Sequence, residues 1–197
     1  MQSLKFITTI VLAVLLVACS KTVQWEEEVP LNTGDVIWVK REVTYKLQGA
    51  GGNPLDIGYW PDRRTETLKF TWQATKYSYT GDADIMLLAI SPSTKKPVLV
   101  APKGIQNWIR ARDFPCVKPF YEQLVVNESK WEWQRLPKLE TWTLDLPRNL
   151  MAHRSNIGET SERYSSNNRQ QNDSIMTIQS PYLARIDPNY QPEICAK

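Results

Sequence analysis

Few residues in this chain have the types and spacing of a catalytic nucleophile and its base. Ser93-Thr94-Lys95-Lys96 matches the S-x-x-K pattern, in which a lysine one helical turn away activates a serine. That chemistry needs the serine at the start of a helix, together with S-D-N and K-T-G partner motifs. Here the tetrapeptide lies between Pro92 and Pro97, and neither partner motif occurs. The segment therefore predicts a basic surface turn.

Acid–base or metal chemistry has two further candidates, which are His153 and the carboxylate pair Asp82 and Asp84. His153 is the only histidine, and no G-x-S-x-G motif accompanies it. The two aspartates share a face in extended chain, but the other ligands of an EF-hand-like Ca²⁺ loop are missing. We therefore predict no metal site and no cofactor. An unrecognised hydrolase built on these three residues is the weakest of three functional hypotheses.

Aromatic side chains are the remaining candidates for binding. The chain has eight Trp, eight Tyr and four Phe, and most of them alternate along strands as core residues do. Trp60 and Tyr59 instead lie in a loop rich in glycine and proline, and Trp108 lies near Arg110 and Arg112. An aromatic side chain beside arginine is a common anchor for a protein partner, and aromatic faces also stack on sugars. Trp60, Trp108 and Tyr59 are therefore the candidate ligand-binding residues.

The N-terminus has the three parts of an export signal. Lys5 supplies a positive start, residues 6–17 are apolar apart from two threonines, and Ala18 precedes Cys19. The apolar run is about a dozen residues long, whereas a membrane-spanning helix needs roughly 20. We therefore expect residues 1–18 to be a cleaved signal peptide.

Leu16-Val17-Ala18-Cys19 resembles the lipobox of bacterial lipoproteins. The resemblance implies that Cys19 receives a diacylglyceryl thioether, becomes the mature N-terminus and is N-acylated, for example by palmitate. Two or more acyl chains hold a protein firmly on a membrane, whereas one anchors only marginally. The residue after the cysteine is Ser20 rather than the retaining aspartate, which favours a periplasm-facing place on the outer membrane over the inner. The stretches GNPLDIGYWPD and YTGDADIMLLAISP also look like small uncharacterised proteobacterial lipoproteins, which implies no activity.

Export also bears on the two other cysteines. An oxidising envelope favours a disulfide between Cys116 and Cys195. This bridge closes a loop of about 80 residues and contributes roughly 4.5 kcal/mol in the chain-entropy account. Two free thiols or a metal pair are the alternatives.

Composition restricts the partner classes. The formal net charge is +3, and it becomes +2 for the 179 residues left after residues 1–18, because Lys5 is the only charge lost. The basic residues are not clustered along the sequence, so nucleic acid is not an expected partner. The remaining length suits one domain of ordinary size with a real core.

Alternating apolar residues predict a mainly β fold. Residues 36–47 alternate as a strand does, and residues 66–80 indicate a hairpin with one apolar face. The apolar run Ile85–Ile90 predicts a central strand buried on both faces, and residues 98–100 predict another strand. Residues 120–126 and 130–135 indicate a second hairpin, with Trp131 and Trp133 on one face.

These elements define the expected organisation. We expect residues 19–34 to form a flexible lipid-anchored tether. The segment contains three consecutive glutamates and Pro30, and its apolar residues show no sustained helical or strand period. Residues 35–147 are the β-rich domain, an antiparallel sandwich or barrel. Residues 148–197 are a polar C-terminal segment with a helix at about 160–179 and an extended tail.

The first functional hypothesis is a non-enzymatic accessory or interaction protein of the cell envelope. It would be held on the membrane by lipid on Cys19 and bound to an envelope protein partner. The second hypothesis is a peptidoglycan-binding module that uses the three candidate aromatic residues.

Overall fold

A computed structural model describes residues 20–49, 57–59, 65–81, 85–102, 120–127, 132–136, 138–150, 162–165 and 185–190. The strands are β1 (Ser20–Pro30), β2 (Val36–Gly49), β3 (Ile57–Tyr59), β4 (Thr65–Trp72), β5 (Thr75–Gly81), β6 (Leu87–Ile90), β7 (Pro97–Pro102), β8 (Tyr121–Asn127), β9 (Glu132–Leu136) and β10 (Glu162–Tyr164). A 3₁₀ turn covers Thr141–Thr143.

The strands form two sheets. The first sheet has the order β10-β1-β2-β4-β5, with β3 paired to β2 off this path, and the second has the order β6-β7-β8-β9. The described strand pairs are antiparallel except for β1 with β10, which is parallel. Apolar side chains of both sheets share one buried cluster, so the sheets pack face to face. The predicted mainly β sandwich is confirmed.

The predicted hairpin at residues 66–80 is confirmed by the pairing of β4 with β5. Leu68 and Phe70 face inward, and Phe70 stacks on Tyr77 with ring centroids 5.3 Å apart. Gln73 and Ala74 connect the strands with φ angles of 45° and 65°. A two-residue turn with positive φ at both positions matches the twist of the flanking strands, so this turn fixes the register of the hairpin.

The second sheet is covered on both faces. One face packs on the first sheet, and the other is covered by the segment around the 3₁₀ turn and by residues 186–190. These two covering segments are joined by backbone hydrogen bonds between Asp145 and Ile186 and between Ile186 and Leu146, at 2.8 and 3.0 Å. This third layer explains why every residue of β6 and β7 is buried.

Two asparagine side chains close the outer edge of β6. Asn149 accepts from the Leu88 amide at 2.8 Å and donates to the carbonyls of Leu88 and Pro30 at 2.6 and 2.8 Å. Asn32 accepts from the Ile90 amide at 2.7 Å and donates to its carbonyl at 2.9 Å. Both amides thus act as a neighbouring strand would, which hides an edge that otherwise invites pairing with another chain.

Three charged side chains lie inside the sandwich. Arg41, in the middle of β2, donates to Glu27 of β1 from Nη1 at 2.9 Å and to Glu66 of β4 from Nε at 2.9 Å, with a further bond from Nη2 to Glu66. Glu66 also accepts from the backbone amide of Ile85 at 3.1 Å, and Glu27 accepts from Trp25 Nε1 at 3.2 Å. We call Arg41, Glu27 and Glu66 the buried charge cluster.

Three sequence predictions are wrong. Residues 20–30 are not a tether, because they pair with β2 along eleven positions and bury Val23, Trp25, Glu27 and Val29. Ordered structure therefore begins before Asp35. Glu162–Tyr164 is a strand rather than part of a helix, because it pairs with β1 and buries Tyr164, and residues 166–179 lie outside the described residues. β6 is an edge strand of its sheet, although its burial on both faces is as expected.

Removal of the Arg41 guanidinium should destabilise the protein, because the buried charge cluster would lose its cation. We expect Arg41→Ala to lower the free energy of unfolding by about 3–5 kcal/mol, because it leaves two buried carboxylates without their cation. Urea denaturation measures this loss. Arg135→Ala is the control, since the Arg135 side chain is 53% exposed where it pairs with Glu122, and should change stability by less than about 1 kcal/mol. Equal losses for the two variants would contradict the assignment.

Candidate interaction surface

The outer face of the first sheet carries the side chains that alternate away from the core. On β2 these include Trp38 and Lys40, on β4 Lys69, and on β5 Lys76. We call Trp38, Lys40, Lys69 and Lys76 the lysine–tryptophan face. Its members come from three adjacent strands whose pairing is continuous.

Strand register places like charges side by side on this face. Lys40 and Lys69 are directly opposite each other in the pairing of β2 with β4. Lys76 lies opposite Thr71, two residues further along β4. Like charges at directly opposed positions are destabilising. Glu26 of β1 lies opposite Lys40 but is bound to Arg163, and no salt bridge among the described residues includes any of the three lysines.

Apolar surface adjoins the lysines. Trp38 is 40% exposed and Val36, two residues earlier on the same side of β2, is 56% exposed. The guanidinium of Arg163 on β10 lies 4.2 Å from the centre of the Trp38 ring. Arg163 is also held by Glu26, with Nε and Oε2 3.1 Å apart. The tryptophan is thus fixed in position while part of its surface remains open.

A shallow open depression of about 560 Å³ runs across the lysine–tryptophan face. Its rim and floor comprise Glu26, Ile37, Trp38, Lys40, Lys69, Phe70, Thr71, Lys76, Tyr77 and Ser78. Small-molecule sites are usually enclosed. An open, shallow depression suits an extended or macromolecular partner better.

The neighbouring part of the same sheet face is internally paired. Thr22 and Thr44 share a hydrogen bond of 2.9 Å, Gln24 donates to Glu42 at 2.7 Å, and Thr67 lies 3.2 Å from Thr80. Cross-strand pairs of this kind stabilise a sheet. The contrast singles out Lys40 and Lys69 as the directly opposed like charges on this face.

The buried charge cluster is not the functional site. Its three side chains are at most 5% exposed, so no substrate reaches them. Burial lowers the pKa of the Arg41 guanidinium, but the charges of Glu66 and Glu27 and their hydrogen bonds outweigh it and raise the pKa above its ordinary value. Arg41 therefore stays protonated and serves structure.

The S-x-x-K segment forms the predicted turn, between β6 and β7. Ser93 is exposed, and its hydroxyl lies 3.1 Å from that of Ser91. The Lys95 amide donates to the Ser91 carbonyl at 2.9 Å, and Lys95 has a φ of 59°. Ser93 therefore lies in a turn and not at the start of a helix, where this motif requires it.

The other predicted site residues fall largely outside the described residues. The backbone of Tyr59 pairs with Leu47 at the end of β3, but its side chain lies outside the description. The remaining candidates also lie outside it: Cys19, Trp60, Asp82, Asp84, Trp108, Cys116, His153 and Cys195. The lipidation, disulfide and aromatic-site predictions therefore stay predictions.

Sequence reasoning missed the lysine–tryptophan face, although one signal pointed to it. Trp38 stands out of phase with Ile37 and Val39, so a strand through all three residues must present a tryptophan on its polar side. The partnership of Lys40 with Lys69 joins positions 29 residues apart, and only the strand pairing reveals it.

Two further findings concern the described residues alone. They include no group of three or more His, Cys, Asp or Glu placed to hold a metal ion. In the same part of the chain, no helix has the length and apolar character needed to cross a membrane.

Comparison of the chain with protein-family models, with curated proteins and with solved structures gave no match.

Replacing one of the two opposed lysines should stabilise the protein. We expect Lys69→Glu to raise the free energy of unfolding by roughly 0.5–1 kcal/mol, because it converts a repulsive cross-strand pair into an attractive one. Chemical denaturation at low salt measures the gain, which should shrink as salt is added. Lys138→Glu, on an exposed residue outside both sheets, is the control. Stability lost in K69E would show that Lys69 serves the fold.

Proposed function

We propose that this chain is an exported, lipid-anchored protein of the bacterial cell envelope that binds a protein partner and does not catalyse a reaction. One observation carries the proposal: an open sheet face on which Lys40 and Lys69 lie directly opposite each other beside an exposed tryptophan. Tryptophan is one of the residues that most often anchor a protein–protein interface.

The lipid anchor in this proposal rests on the Leu16-Val17-Ala18-Cys19 motif. β1 begins at Ser20, directly after the proposed acylation site. An anchored domain would therefore be held against the bilayer without a flexible spacer. We place the protein on the periplasmic side, with the outer membrane favoured by Ser20.

The non-catalytic part of the proposal rests on the nature of the surface. Lysines and a tryptophan in a shallow depression offer attraction and contact area. Chemistry on a small substrate usually uses an enclosed pocket with a nucleophile or an acid–base pair of matched pKa. The lysine–tryptophan face lacks that arrangement among the residues described.

The lipid anchor predicts palmitate labelling at one residue. In cells fed radiolabelled or alkyne-tagged palmitate, the wild-type protein should incorporate label and fractionate with membranes. Cys19→Ser should lose both properties, whereas Cys116→Ser should retain them. Label that persists in C19S would contradict the lipoprotein assignment.

The interaction role predicts a position-specific cross-link in living cells. A photo-reactive p-benzoylphenylalanine placed at Thr71, an exposed residue lining the depression, should give one dominant adduct with an envelope protein. The same group at Thr141, which is exposed in the 3₁₀ turn beside the second sheet, should give none.

Two outcomes would contradict the proposed interaction with a protein partner. One is the absence of any protein adduct from position 71, and the other is an equal adduct from position 141. The double variant K40Q/K69Q should reduce the adduct at position 71 without changing the amount of protein in the membrane.

A further inference from the structure

We infer that the lysine–tryptophan face receives an acidic segment of its protein partner, with Trp38 as the apolar anchor beside the charges. This inference rests on the proposed function and specifies the partner's chemistry. It starts from charge: the three lysines lie on adjacent strands, Lys40 faces Lys69 directly, and the carboxylate opposite Lys40 on β1, that of Glu26, is bound to Arg163. Carboxylates placed between Lys40 and Lys69 would turn their repulsion into attraction.

The spacing of the lysines suits a short peptide segment. Neighbouring strands lie roughly 4.8 Å apart and residues two apart along a strand about 6.8 Å, so the three lysine backbone positions span on the order of 12 Å. Two or three carboxylates at alternate positions of an extended segment cover the same distance. The lysine–tryptophan face is therefore suited to bind a peptide segment with closely spaced acidic residues rather than a surface with scattered negative charge.

The apolar end of the face favours protein over sugar. Val36 and Trp38 together present an exposed apolar strip next to Lys40. Arg163 already covers one face of the Trp38 indole at 4.2 Å, which leaves less ring surface for stacking on a sugar. Contact with an apolar side chain needs only the exposed part of the ring.

A first strand standing upright on the bilayer would hold the face away from the headgroups next to the anchor. Glu26, opposite Lys40 in the pairing of β1 with β2, is six residues from Ser20. Six strand residues span roughly 20 Å. Exposed charges are screened over about 8 Å at physiological ionic strength. An acidic protein segment reaches the lysines without this restriction.

The test uses the full mature protein in nanodiscs of neutral lipid. The probe is a fluorescein-labelled 12-residue peptide of alternating Glu and Leu, and its Gln–Leu counterpart is the peptide control. Fluorescence anisotropy measures binding to the wild type, to K40Q/K69Q and to K95Q/K138Q. The two double variants lose the same net charge, and Lys95 and Lys138 are exposed lysines away from the face.

We expect the Glu–Leu peptide to bind the wild type and K95Q/K138Q alike, and K40Q/K69Q about tenfold more weakly, since each surface charge pair contributes a few-fold. Added salt should weaken wild-type binding more steeply than K40Q/K69Q binding. Trp38→Ala should weaken binding without changing the salt dependence. Matching thermal unfolding curves would confirm that the variants are folded.

Several results would overturn the inference. They are equal binding of the Glu–Leu and Gln–Leu peptides, equal losses in the two double variants, or binding of anionic-lipid vesicles or peptidoglycan fragments with none of the peptide. These results leave the proposed function standing if the cross-link at position 71 still captures a protein. Loss of that cross-link removes the proposed function itself.

Discussion

The buried charge cluster is the interaction on which the rest of the structure depends. Arg41 lies in the middle strand of the first sheet and binds Glu27 on one neighbouring strand and Glu66 on the other. Glu66 extends the connection to the Ile85 amide, two residues before the second sheet begins. A buried ion must keep its partners, because an uncompensated charge in the interior costs several kcal/mol. The cluster therefore fixes both strand register and the approach of the two sheets.

That constraint on the inside determines what the outside presents. A slip of one residue in β2 would send Arg41 to solvent and bring Trp38 and Lys40 inward. Because Arg41 points inward, Trp38 and Lys40 must point outward, and Lys40 comes to lie beside Lys69. Inside the sandwich the Arg41 guanidinium is bound by two carboxylates, whereas Lys40 and Lys69 on the outer face repel each other. Local conflicts of this kind in an otherwise consistent fold are expected where a surface serves binding.

Local patterns predicted much of the fold and little of the surface. The hairpin of β4 and β5 was predicted from alternating apolar residues and β7 from an apolar run. Both signals lie entirely within a short stretch of sequence. β1 escaped prediction because Glu27 interrupts its apolar side, and its burial depends on a partner fourteen residues away. The strand nature of β10 and the closure of β6 by Asn149 likewise depend on distant chain. The lysine–tryptophan face could not be predicted for the same reason, because its residues come from distant parts of the sequence.

Acetylation of lysines in isolated envelope membranes tests the central claim most directly. Quantitative mass spectrometry would compare the reactivity of each lysine in membranes with that in the purified protein. The account predicts that Lys40, Lys69 and Lys76 react several-fold more slowly in membranes, because a bound partner both pairs and covers them, while Lys95 and Lys138 react equally in both. Unchanged reactivity of the three lysines, or protection spread evenly over all five, would contradict it.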